Sequence, residues 1–248
     1  MTIGVLILAK LYVVGTGPGD ISKITAEALA ALKKCEVIVG YTVYTDIIKK
    51  FLPNKKYVST PMTKEKDRCL LAYKYAETEN TAIICSGDAG VYGMAGLVIE
   101  LKHLFKNVEL TIIPGVTAAL SGGALLGSPL TADFAVISLC DLLTPYELIQ
   151  KRIRCAAQGD FVICIYNPSS KKRSGYLKEA CQIIMEHRGP ETVCGVVRNI
   201  GRDGEEKKIL TLKELCDYQA DMFTTVFIGN SATTVKEGFM VTPRGYIL

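Results

Sequence analysis

A chain of 248 residues is long enough for two modest domains, each with a core of its own. Hydrophobic residues make up 49% and charged residues 22%, a globular balance that excludes a disordered tail. The formal charge of +4, with no long basic run behind it, argues against a nucleic-acid partner and leaves room for an acidic small substrate.

The opening MTIGVLILAK lacks the charged start, the length and the cleavage site of a targeting or membrane segment, so it reads as lead-in to a strand and no membrane partner is expected. Three apolar runs then end in glycine-bearing turns: LYVVGTGPGD at 11–20, TAIICSGDAG at 81–90 and ELTIIPGVTA at 109–118. Strands apolar on both sides belong in a buried parallel sheet, and the helical stretches between them, one capped by Thr25 and one over 64–80, imply βαβ units. The glycine-rich VTAALSGGALLGSPL marks a joint, which divides the chain into an α/β domain at 1–120 and a second at 121–248. The second half repeats the alternation with FAVISL at 134–139, a helix over 145–158, FVICIYNPSS at 161–170 and a helix near 173–187; TVCGVVRN and TTVFIGNS close the sheet, with GRDGEEKK at 201–208 as an exposed hairpin turn.

Nine cysteines show no CxxC pair and no neighbouring histidine, which is not a metal-site spacing, so no metal is expected. Several lie inside apolar runs, as free thiols packed in a core do, and this points to the cytoplasm. His103 and His187 both fall late in predicted helices as surface or capping residues, and no GxSxG, HExxH, P-loop or EF-hand pattern occurs.

The loop Gly15-Thr16-Gly17-Pro18-Gly19-Asp20 stands where a dinucleotide-binding turn would, but Asp20 occupies the place of the third glycine and VIVG at 37–40 ends without a ribose-binding acid. A nicotinamide-dependent oxidoreductase is therefore disfavoured. The loop Ser86-Gly87-Asp88-Ala89-Gly90-Val91-Tyr92-Gly93 suits a cationic or hydroxyl-bearing ligand better than a phosphate; its plainer reading is a tight turn capped by Asp88. With Pro114-Gly115-Val116-Thr117 these loops should converge on one crevice at strand C-termini. Chemistry that needs placement more than an acid or base fits, and methyl transfer from the sulfonium of S-adenosylmethionine is of that kind.

VGTGPGD, SGDAGVYG, IPGVTAA, IYNPSS and FIGNS, in this order over residues 11–231, resemble the tetrapyrrole methylase family. The resemblance implies two α/β domains of the class III, tetrapyrrole methylase-like arrangement with the active site in the cleft between them, a homodimer, and S-adenosylmethionine bound in a folded form and released as S-adenosylhomocysteine. SLCDLLTPYELIQKRIRCAAQGDFVICIYNPSSKKR at 138–173 resembles the members that methylate C17 of precorrin-3B or cobalt-factor III and contract the ring in cobalamin biosynthesis. Carried over by residue, it places the donor against Pro18, Ser86, Gly87, Asp88, Val91, Thr117, Ala118, Tyr166, Asn167, Arg198, Asn199 and Gly229. The acceptor, a macrocycle edged with carboxylates, would meet Gly17, Asp20 and a basic lining. Lys171, Lys172 and Arg173 are the first candidates for that lining, with Lys64, Lys66 and Arg68 behind them; a solvated charged face is the competing reading for each. No catalytic base is assigned, though Asp20, Ser22, Asp141 and Tyr166 are the side chains considered for proton transfer. Ala89 stands where other members have proline. Another methylation site, diphthine synthase and a non-catalytic corrinoid carrier stay open as alternatives, as does the aerobic or anaerobic form of the substrate.

Overall fold

A computed structural model of the chain describes residues 9–170 and 174–247. The chain divides into two compact units, Met1–Thr117 and Ala118–Leu248.

In the first unit, β1 (Lys10–Gly15), β2 (Val37–Tyr41), β3 (Lys56–Thr60), β4 (Thr81–Cys85) and β5 (Glu109–Ile113) form one sheet in the order β3-β2-β4-β1-β5. Every pairing in it is parallel. The apolar runs of the inner strands β1, β2 and β4 are largely buried on both sides, β4 at every residue, because helices cover both faces, while the edge strands β3 and β5 keep exposed residues, Ile112 of the expected two-sided run in β5 among them. On one face α1 (Ala26–Lys34) and α2 (Thr42–Lys49) pack Leu32 and Ile48 against Ile38 and Ile84; on the other, α3 (Glu65–Ala76) and α4 (Ala95–Leu101) pack Tyr73 and Val98 against Leu11 and Ile83. Each of these fully buried aliphatic side chains contributes about 1.5–3 kcal/mol. Thr25 caps α1 as expected, its hydroxyl accepting from the Ala28 N–H at 3.1 Å, while Glu27 in the first turn and Lys33 and Lys34 in the last complement the helix dipole. The helix expected over 64–80 is shorter, ending at Ala76. Past it, the N–H groups of Thr78 and Glu79 both turn back to the Tyr75 carbonyl and close the helix before β4 begins.

The second unit runs α5 (Ala118–Leu126), β6 (Gly127–Ser128), β7 (Phe134–Ser138), α6 (Tyr146–Gln158), β8 (Val162–Tyr166), α7 (Tyr176–Met185), β9 (Val193–Arg198), β10 (Glu206–Thr211), α8 (Leu212–Leu215), β11 (Thr224–Ile228), β12 (Thr234–Lys236) and β13 (Phe239–Val241). Its main sheet has the order β10-β9-β11-β8-β7 and is mixed. Only β7 and β8 pair in parallel; β11 lies antiparallel to both its neighbours. The reason is the hairpin expected at 201–208, which reverses β10 against β9; the crossover through α8 then returns the chain so that β11 keeps the sense of β10. Helices α6, α7 and α8 bury one face around Ile153, Ile165 and Ile184, and α5 covers the other around Leu126 and Phe227. A small sheet, β12-β13-β6, completes the unit.

Candidate functional site

Adjacent β1 and β4 send their chains to opposite faces of the first sheet: β1 leads to α1 and β4 leads to α4. Such a divergence opens the crevice in which α/β sheets bind ligands, at the C-terminal ends of the strands. The loops after β1, β4 and β5 meet there. Gly17 and Gly87 exchange both main-chain hydrogen bonds, at 3.0 and 2.7 Å, and each takes a left-handed φ, +71° and +70°. Thr16 anchors the first loop by donating its N–H and its hydroxyl to the Cys85 carbonyl at 2.8 and 3.0 Å. A Cβ on Gly15 would stand 2.6 Å from the Gly115 nitrogen and 2.8 Å from the Gly87 carbonyl oxygen, so the three strand ends touch backbone to backbone. The smallness of these loops is therefore used by the fold itself, to bring main chain against main chain.

Asp88 completes the junction. Its Oδ1 accepts the N–H groups of Gly90 and Val91 at 2.7 and 3.0 Å, and its Oδ2 accepts that of Gly115 at 2.9 Å. These bonds are those of the capped-turn reading: the carboxylate shapes its own loop and locks it to the loop after β5. Asp20 faces outward and accepts the Ser22 N–H at 2.7 Å, starting a short turn of helix. The Ser22 backbone and hydroxyl hold its carboxyl below the usual carboxylate range, so near neutral pH it is an anion and a poor proton donor. Pro18 is buried, and Ser86, Val91 and Thr117 are half-buried.

Within the second unit, Tyr166 and Asn167 stand at one end of its sheet, with Arg198 and Asn199 at the same end two strands away. The Tyr166 hydroxyl accepts the Ala119 N–H at 2.6 Å, capping α5 directly after Ala118. Asn167 and Asn199 both adopt left-handed φ values of +52°, a conformation asparagine tolerates better than most residues. Asn167 donates to the Ser138 hydroxyl at 2.9 Å and so ties β8 to β7. Arg198 is engaged with Asp221 at 2.7 Å. Gly229 is not brought to this group. It follows β11 at the opposite end of the sheet, where its N–H meets the Val193 carbonyl and its carbonyl accepts from Arg188, because β11 runs antiparallel to β8. Replacing Tyr166 with phenylalanine removes the partner of the Ala119 amide, and a loss of about 1 kcal/mol in urea denaturation is expected.

Lys171, Lys172 and Arg173 lie outside the described residues. Lys64 pairs with Asp67 at 3.3 Å on the surface. Arg68, expected at the protein surface either as a ligand clamp or as a solvated charge, is instead 3% exposed and bonded inside the first unit. The sequence carried no signal for that, since its helix is polar on average. Asp141, weighed for proton transfer, accepts the Tyr176 hydroxyl at 2.8 Å. Both histidines are exposed, His103 bonded to the Glu100 carbonyl. All nine cysteines are free, and burial pushes the thiols of Cys35 and Cys69 up to about 12 and that of Cys85 to about 11, which leaves them unreactive near neutral pH. Gly15 and Gly115, the centre of the junction, were visible in the sequence only as strand-terminal glycines.

The family described as Tetrapyrrole (Corrin/Porphyrin) Methylases matches residues 10–216. A protein of Salmonella typhimurium named "Probable cobalt-factor III C(17)-methyltransferase" is 46% identical over 240 residues, which cover 96% of this chain and 100% of that one. A Sinorhizobium protein named "Precorrin-3B C(17)-methyltransferase" is 37% identical, with 95% of this chain and 96% of that one covered. Two other relatives at 46% identity are longer, and the chain spans 45% and 53% of their length. Among solved structures, the methyltransferase CobJ superposes with a TM-score of 0.87 at 33% identity, covering 95% of this chain and all of the other.

Proposed function

The chain belongs to the tetrapyrrole methylase family, and from that premise we propose that it methylates C17 of cobalt-factor III with S-adenosylmethionine as donor and contracts the ring, a step of cobalamin biosynthesis. The observation that carries the reading is the junction of Gly15, Gly87 and Gly115 at the diverging ends of β1 and β4, in a chain 46% identical to a full-length relative named for that reaction. Precorrin-3B is the second reading, favoured by the relative at 37% identity that bears its name.

The residues present fit the donor. No Lys or Arg stands in the segments 15–20, 86–93 and 114–117, while Asp20 and Asp88 do, a balance that suits a sulfonium and repels a phosphate. When bound, S-adenosylmethionine supplies an activated methyl group, so the protein's task is alignment and exclusion of water. In this reading Pro18, Ser86, Gly87, Val91 and Thr117 hold the donor on the rigid frame that Asp88 and the glycines build. From the second unit Ala118, Tyr166, Asn167, Arg198 and Asn199 are assigned to the donor, and Gly229, at the opposite end of its sheet, is not. Gly17, Asp20, Lys171, Lys172 and Arg173 are assigned to the acceptor, the three basic residues toward its carboxylates. A carboxylate of the acceptor itself assists the contraction. A cytoplasmic homodimer is part of the proposal; the free thiols support the compartment, and among the described residues no helix is long and apolar enough to cross a membrane.

The test is incubation of the purified protein with methyl-labelled donor and, separately, cobalt-factor III and precorrin-3B. Label is expected at C17 of the cobalt compound, with a shift of its absorbance spectrum. Transfer to precorrin-3B alone selects the second reading, and transfer to neither, with donor still bound, overturns both.

A further inference from the structure

A buried guanidinium ordinarily faces a carboxylate, because an unpaired charge is expensive to remove from water. Arg68 does not. It is 3% exposed, forms no ion pair among the described residues, and gives its hydrogens to neutral partners only. Its Nε donates to the Thr60 hydroxyl at 2.7 Å, its Nη2 to the Pro61 carbonyl at 2.8 Å and its Nη1 to the Met94 sulfur at 3.4 Å. Packing alone would be served better by an apolar side chain of the same volume. What distinguishes the arginine is where its partners lie. Two close the end of β3, and the third is the last residue of the 86–94 loop.

That loop has a conformation in need of support. Tyr92, in its middle, holds φ at +52° with its ring largely exposed, a strained geometry for a non-glycine residue that persists only where neighbours fix both flanks. Asp88 secures the entry. At the exit, the Met94 N–H reaches the Cys85 sulfur at 3.4 Å, and the Ala95 N–H bonds the Ala89 carbonyl at 3.0 Å. The planar fork of Arg68 clamps the same exit from the α3 side, linking β3, α3 and the loop through three divergent donors, a geometry that the point charge of a lysine lacks.

We infer that Arg68 is a positioning residue for the donor: it fixes Met94, and through Met94 the main chain from Ser86 to Tyr92 that the proposed function assigns to S-adenosylmethionine. The inference rests on that assignment. It is tested with full-length Arg68→Met, Arg68→Lys and Met94→Leu, reading S-adenosylhomocysteine affinity by calorimetry and folding by thermal melting. The expected result is a Kd at least tenfold higher in Arg68→Met at a melting temperature equal to or above that of the parent, incomplete rescue in Arg68→Lys, and a Kd about threefold higher in Met94→Leu. A Kd within twofold of the parent in folded Arg68→Met overturns the inference, as does a lowered melting temperature with unchanged affinity. Should Arg68→Met fail to fold, Met94→Leu decides by the same affinity criterion, unchanged binding overturning the proposal. Failure of the parent protein to bind S-adenosylhomocysteine would instead remove the donor assignment itself.

Discussion

Gly115→Ala is expected to lose S-adenosylhomocysteine binding by at least about a hundredfold, near 2.7 kcal/mol, in calorimetry. The added methyl has nowhere to go: its Cβ would fall 2.6 Å from both the carbonyl carbon and the carbonyl oxygen of Gly15, and closer still to the Gly87 carbonyl oxygen. All of these are main-chain atoms at the ends of paired strands, which cannot rotate aside as a side chain does. Overpacking a well-filled site costs about 1–3 kcal/mol, and here it also separates the three loops that the donor is proposed to meet. Gly96→Ala is the matched control. Its Cβ meets nothing within 4 Å on the exposed face of α4, so a gain of up to about 1 kcal/mol in stability with unchanged binding is expected. If Gly115→Ala binds as tightly as the parent, the junction has no part in the donor site.

Asp88→Ala removes the acceptor of three N–H groups at once, those of Gly90, Val91 and Gly115. Hydrogen bonds to a charged group are worth about 1.5–3 kcal/mol each, but water reaches some of the freed amides, so a net loss of about 3 kcal/mol in denaturant unfolding is the expectation. Donor affinity should fall at least about thirtyfold, because the loop after β4 is released from its own turn and from the loop after β5 together. Asp88→Asn should lie between. Its single carbonyl oxygen serves either the Gly90 and Val91 amides or the Gly115 amide, but not both sides. Unchanged melting and unchanged affinity in Asp88→Ala would remove the residue from both roles. Retained stability with lost affinity would make it a direct ligand contact.

Much of the first unit was legible because its cues are local. Two-sided apolar runs, a threonine before an alanine-rich helix and a glycine at or within two residues of the end of each run report on geometry that a residue and its near neighbours fix. The second unit was legible in its longer elements but not in its sheet order, and β6, α8, β12 and β13 were not marked. Strand direction follows from how a hairpin and a crossover route the chain, and no single strand's sequence records that. The same limit applied to Gly229: FIGNS has the composition of the other glycine turns, yet β11 runs the other way and carries its glycine to the far end.

By itself the sequence determined the apolar strands that lead into the glycine-bearing turns and, through five ordered motifs, the family, since each depends on residue type and spacing along the chain; the polar or short strands β3, β6, β12 and β13 it did not mark. Only the tertiary structure decided that β1 lies between β4 and β5, that Asp88 turns its carboxylate onto three amides, and that Arg68 is enclosed without a counter-charge. Those outcomes come from pairings between residues distant along the chain, Gly15 with Gly87 and Gly115 among them, and such pairings are settled by the joint packing of a whole sheet rather than by any one stretch of it.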